Sequence, residues 1–74
     1  MSDTPRDRFV RLASYRTTEV LKRLKVLGNC SNRALYEYTE EDIEKIFNEI
    51  DRKVREVKLQ FKHSMPAKKD DFRL

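Results

Sequence analysis

One cysteine, one glycine and two prolines are all that 74 residues contain of the types that cross-link, reverse or break a chain. Each shortage excludes something. The lone Cys30 has no second cysteine to pair with, so no intrachain disulfide can form. One Cys and one His fall short of the four ligands of a structural zinc site, and no metal or other cofactor is expected. So few turn formers argue against a sandwich or a barrel and leave long helices. No apolar run approaches the roughly 18 residues of a membrane span, so a membrane is not an expected partner. The opening MSDTPRDR lacks the apolar core of a secretory signal, which places the protein in the cytoplasm with Cys30 as a free thiol. Without export, the sequon formed by Asn29, Cys30 and Ser31 reads as a chance match.

What the chain does have is charge. Charged residues make up 41% of it, the formal net charge is +4, and the isoelectric point is near 9.4. That balance favours an acidic partner without saying which one. Size adds a second pressure. A chain this short buries only about 60% of the surface its unfolded form exposes, and the usual remedies are disulfides, a metal or oligomerisation. The first two are excluded, so oligomerisation is expected.

Thr4, Pro5 and Asp7 open a first helix, expected over residues 5–27 behind an N-terminal cap of residues 1–4. Thr4 suits the N-cap, Pro5 the first helical position, and Asp7 the positive end of the dipole. Val10, Ala13, Thr17, Val20, Leu24 and Leu27 then recur at spacings of three and four, and Phe9, Leu12 and Leu21 widen that stripe. Gly28 is the expected stop, as a left-handed residue just past the helix, with Lys22, Arg23 and Lys25 near the negative dipole end.

The connection, expected over residues 28–38, is long for a helix–helix link. Asn29, Ser31 and Asn32 favour local side-chain to backbone bonds. Leu35, Tyr36 and Tyr38 are expected to fold back over the end of the core, and the polar run Asn29, Cys30, Ser31, Asn32 and Arg33 is left as a candidate loop site.

The second helix start is the strongest signal in the chain. Thr39 is the N-cap, Glu40, Glu41 and Asp42 fill the first turn, and Asp42 can complete a capping box. Tyr38 and Ile43 hold the two hydrophobic-staple positions. Ile43, Phe47, Ile50, Val54, Val57 and Phe61 form a four–three heptad seam of coiled-coil type, with Ile46 beside it, and the helix is expected over residues 40–62. Residues 64–74 follow Pro66 or flank it without a helical or strand period and are expected to form a flexible tail.

The fold class is therefore all-α. Two helices of about 34–35 Å, joined by one loop, are expected to dock as an antiparallel hairpin. Each stripe is wider than a single partner helix covers, so two hairpins are expected to dimerise into a four-helix bundle. A monomer whose loop and tail cover the open side is the alternative.

In the antiparallel hairpin the charges segregate. Lys22, Arg23 and Lys25 lie beside the acidic start of the second helix. Arg6, Arg8, Arg11 and Arg16 lie beside Arg52, Lys53, Arg55, Lys58 and Lys62, which gives a candidate surface for an acidic partner at the open end, extended by Lys68 and Lys69. Three readings stand side by side: a solvated face, phosphate contact with nucleic acid, or assembly with the acidic end of a second copy. An acidic protein is a further possible partner. No DNA-reading helix and no RNA-binding aromatic motif is present.

An enzyme is not expected. Cys30 and His63 stand about 30 Å apart within one hairpin. No phosphate loop, metal-ligand spacing or nucleophile elbow occurs. The expected function is a small non-enzymatic interaction or assembly module, with a nucleic-acid-associated protein as the alternative.

Residues 16–47, RTTEVLKRLKVLGNCSNRALYEYTEEDIEKIF, also resemble a family of short uncharacterised bacterial proteins. Its pattern is an LGN-x-SN turn followed by Y-x-Y-[ST]-x-[ED]-D-[IV]-x-KIF. The corresponding residues here are Leu27, Gly28, Asn29, Ser31, Asn32, Tyr36, Tyr38, Thr39, Glu41, Asp42, Ile43, Lys45, Ile46 and Phe47. The resemblance implies a helical hairpin and carries no activity with it.

Overall fold

The computed structural model describes residues 3–66. It is all-helical, with α1 over Pro5–Gly28, a 3-10 turn over Asn29–Ser31 and α2 over Glu40–Ser64, and no strand among the described residues. The chain divides between Glu37 and Tyr38 into two units, one carrying α1 and the 3-10 turn, the other carrying α2.

In the first unit, α1 begins as its sequence requires. Thr4 is in extended backbone at the N-cap, and its Oγ1 accepts from the Asp7 amide at 3.0 Å. The Thr4 amide donates back to Asp7 Oδ2 at 3.4 Å. Two amides that have no partner within the helix are thereby satisfied, and Pro5 brings no amide hydrogen that would need one. Asp3 accepts from Arg11 Nη2 at 2.8 Å and ties the entering strand of chain to the second turn. Farther along, the Thr18 hydroxyl donates to the Ser14 carbonyl at 3.0 Å, as a mid-helix threonine can do without leaving the helix.

The C-terminal end of α1 corrects one expectation. Gly28 is not left-handed: it lies in right-handed helical backbone, with φ −58° and ψ −27°, and no described glycine has a positive φ. The helix runs one residue past Leu27, to Gly28 itself, and then tightens. The Asn29 amide points at the carbonyls of Leu27 and Val26, and its contact with Val26 is the i→i−3 pattern of a helix winding down as 3-10. Glycine permits a left-handed stop but does not compel one.

Asn32 is what turns the chain. It leaves helical backbone at φ −71° and ψ 102°. Its side-chain Oδ1 accepts from the Ala34 amide at 3.0 Å, and its carbonyl accepts from Leu35 at 3.1 Å and Tyr36 at 3.0 Å. One asparagine thus organises the three amides that follow it, in the Asx manner its short side chain allows. Leu35 and Tyr36, expected to fold back over a core, are 71% and 51% exposed. Their amides are committed to Asn32, and the tight local turn leaves the two side chains in solvent.

In the second unit, α2 opens with a complete capping box. Thr39 Oγ1 accepts from the Asp42 amide at 3.1 Å, and the Thr39 amide donates to Asp42 Oδ2 at 2.9 Å. Tyr38 and Ile43, on the staple positions, are both half-buried. Thr39→Ala removes one bond of the box and is expected to cost about 1 kcal/mol of α2 stability. Faster amide exchange at Asp42 and Ile43 is the readout, with Thr39→Ser restoring protection.

At its far end α2 continues through His63 to Ser64, two residues beyond the expected boundary, so the first residue assigned to a tail is helical. Pro66 excludes helical backbone only from the residue before it, and Met65 is the residue that turns extended, at φ −76° and ψ 145°. The Ser64 hydroxyl donates to the Gln60 carbonyl at 2.9 Å, and the Met65 amide reaches Phe61 O at 3.2 Å. Lys68, Lys69, Phe72 and Leu74 lie outside the described residues, as does most of the expected tail.

Candidate functional site

Three features were candidates: the apolar stripes, the cations of the two helices, and the turn.

Among the described residues no side chain is buried. On α1, Phe9, Val10, Val20 and Leu21 are 46–61% exposed, while Ala13 and Leu27 are half-buried. On α2, Phe47, Val54 and Phe61 are 45–54% exposed, and Ile43 and Ile50 are half-buried. The seam positions repeat every three or four residues, so on a helix they share one face. Each helix therefore carries a continuous apolar stripe along its length in a state open to solvent. Monomeric proteins rarely leave contiguous patches of this kind, and such patches mark interaction surfaces.

The cations behave unequally. Arg11 is held by Asp3. Arg52 donates to Glu49 at 2.6 Å and sits 3.8 Å from Glu56, and Lys53 reaches Glu56 at 3.1 Å. Arg6 stacks over Phe9, its guanidinium carbon 5.8 Å from the ring centroid, a cation–π contact across one turn. Among the described residues Arg8, Arg16, Arg55, Lys58 and Lys62 enter no ion pair. The expected basic surface thus separates into cations spent on their own helix and five that remain available to a partner. The pairs of Arg52 and Lys53 have i,i+3 and i,i+4 spacing on one helix, whereas Asp3 reaches Arg11 across eight residues.

These pairs perturb protonation in the expected sense. The Lys53 hydrogen bond holds the Glu56 carboxyl below its ordinary value, with Arg52 adding to the effect. The bond to Glu49 raises Arg52. At the start of α2 the Thr39 amide, and then its hydroxyl, hold Asp42 below the usual carboxylate range. A carboxyl lowered by folding contributes stability that is fully present above its unfolded value and lost as the pH falls through its folded one. The helicity of α2 is therefore expected to stay flat from neutral pH down to about pH 5 and to fall below about pH 4. Circular dichroism across that range checks it, and Asp42→Asn should flatten part of the fall.

The loop candidates are all exposed. Asn29, Cys30 and Ser31 form the 3-10 turn, Asn32 organises the turn after it, and Arg33 begins that turn. Cys30 is a free, exposed thiol. Asn32 thus has a structural task that sequence reasoning had left open. Among the described residues no group of three or more His, Cys, Asp or Glu is placed to hold a metal ion, and no helix is long and apolar enough to cross a membrane.

Comparison with protein-family models, curated proteins and solved structures returned no match.

Proposed function

We propose that this protein is a small, non-enzymatic assembly module that works by self-association. The two helices dock antiparallel as a hairpin, and two hairpins close into a homodimeric four-helix bundle. One observation carries this reading: both helices open with a complete capping box, yet each keeps an apolar stripe in solvent along its length. Ordering a residue costs roughly 1–2 kcal/mol of backbone entropy, and helix propensity alone rarely offsets it. The offsetting term is burial of the stripe, at about 1.5–3 kcal/mol for each large side chain. Sedimentation at tens of micromolar tests the proposal. A dimer supports it, and a monomer that melts cooperatively contradicts it.

A second reading has its own observation, the five cations that enter no ion pair among the described residues. It makes the protein nucleic-acid-associated, binding through phosphates without reading sequence. Duplex DNA and RNA titrated at two salt concentrations separate the readings, because phosphate contact weakens steeply with salt. Reversing Arg8, Arg16 and Arg55, three of those five, to Glu is expected to abolish such binding and to leave the melt largely intact. No salt-sensitive binding at low ionic strength removes the second reading.

A further inference from the structure

The α2 seam and the α2 charges share a midpoint, and from this we infer that the self-association interface pairs α2 with the α2 of a second copy, antiparallel and centred on Arg52. The inference rests on the self-association reading and adds orientation, register and the helix that makes the contact.

The seam comes first. Ile43, Phe47, Ile50, Val54, Val57 and Phe61 alternate spacings of four and three along an uninterrupted helix, Glu40–Ser64. An antiparallel partner rotated about Arg52 sets Ile43 against the partner's Phe61, Phe47 against the partner's Val57, and Ile50 against the partner's Val54. All six seam residues are used, with an aromatic ring against an aliphatic side chain in the two outer layers. Sliding the partner by one heptad leaves two seam residues unmatched at each end. A four–three seam has this mirror property wherever its centre falls, so the seam by itself does not choose between antiparallel and parallel partners.

The charges choose. Residues 40–51 hold Glu40, Glu41, Asp42, Glu44, Glu49 and Asp51 against Lys45. Residues 52–62 hold Arg52, Lys53, Arg55, Lys58 and Lys62 against Glu56. The sign changes at residue 52, which is also the centre of the seam. An antiparallel partner therefore lays its basic half along the acidic half and the reverse. Beside the seam, Glu44 lies next to the partner's Lys58, twice in the dimer. A parallel partner instead stacks like halves and sets Lys53 beside the partner's Lys58, a repulsive flanking pair. The antiparallel arrangement has its like-charge approaches only at the dyad, between the two Asp51 and between the two Lys53. Lys53 is already held by Glu56 of its own helix at 3.1 Å.

The test uses two single-thiol variants of the full chain, Glu44→Cys and Lys58→Cys, each also carrying Cys30→Ser. Within an antiparallel pair centred on Arg52, like positions are about 24 Å apart along the axis at residue 44 and about 18 Å at residue 58, while residue 44 of one copy meets residue 58 of the other. A short bis-maleimide is expected to give covalent dimer in an equimolar mixture and none with either variant alone. Covalent dimer from a single variant means a parallel pair and overturns the inference. A dimer by sedimentation with no covalent product in the mixture places the interface elsewhere and also overturns it. A monomer for both variants and for the unmodified protein contradicts self-association itself, which keeps the two failures apart.

Discussion

Ile50→Glu is expected to convert the proposed dimer to a monomer at tens of micromolar and to remove the cooperative melt. Ile50 sits at the middle of the α2 seam and is already half-buried within its own chain. The substitution removes an apolar side chain worth about 1.5–3 kcal/mol when buried. It also places a carboxylate in an apolar interface, where leaving a charge unpaired costs about 3–5 kcal/mol. Since each 1.4 kcal/mol is about tenfold in affinity, association should weaken at least about a hundredfold. The matching control is Leu59→Glu. Leu59 is also apolar and is 44% exposed, but it lies off the seam, so its replacement is expected to leave the sedimentation coefficient unchanged. If both variants dissociate the dimer, or neither does, the seam is not the interface.

A pair of proline substitutions tests the helices themselves. Val54→Pro is expected to abolish most of the helical signal beyond residue 50 and to dissociate the dimer. The ring removes one intrahelical hydrogen bond and collides with the carbonyl of Ile50, a cost of about 3 kcal/mol or more in a helix interior. It also misaligns Val57 and Phe61 from the first half of the seam. Glu40→Pro is expected to cost little. Glu40 is the first residue of α2, as Pro5 is of α1, and a proline there brings no amide hydrogen where none is used. Circular dichroism at fixed concentration distinguishes the two. A near-neutral Val54→Pro contradicts the continuous helix, and a damaging Glu40→Pro contradicts the position of the cap.

The two helix starts were legible because they depend on local chemistry alone. Thr4 with Asp7 and Thr39 with Asp42 are complete boxes within four residues of chain, and both are formed. The ends were harder. Gly28 could have adopted a left-handed stop, but the chain meets its unsatisfied carbonyls by a 3-10 turn instead. Proline 66 was recognised as a breaker, yet its steric reach is one residue, so Ser64 stayed helical and Met65 took the break. In the loop the tendency of Asn32 toward local bonds was visible, whereas its command over Ala34, Leu35 and Tyr36 together required coordinates. Leu35 and Tyr36 were expected to fold back over the end of the core, and the turn leaves them exposed. For the candidate basic surface, composition counted every Arg and Lys alike. The structure separates those held by Asp3, Glu49 and Glu56 from those with no such tie.

Self-association of the α2 seam is tested most directly by thermal melting, followed by circular dichroism over a hundredfold range of protein concentration. Dilution by that factor removes about 2.7 kcal/mol from a dimer that unfolds as it dissociates, and its melting temperature should fall by roughly 5–10 °C. A melting temperature that is the same at both ends of the range, with cooperativity retained, would contradict it.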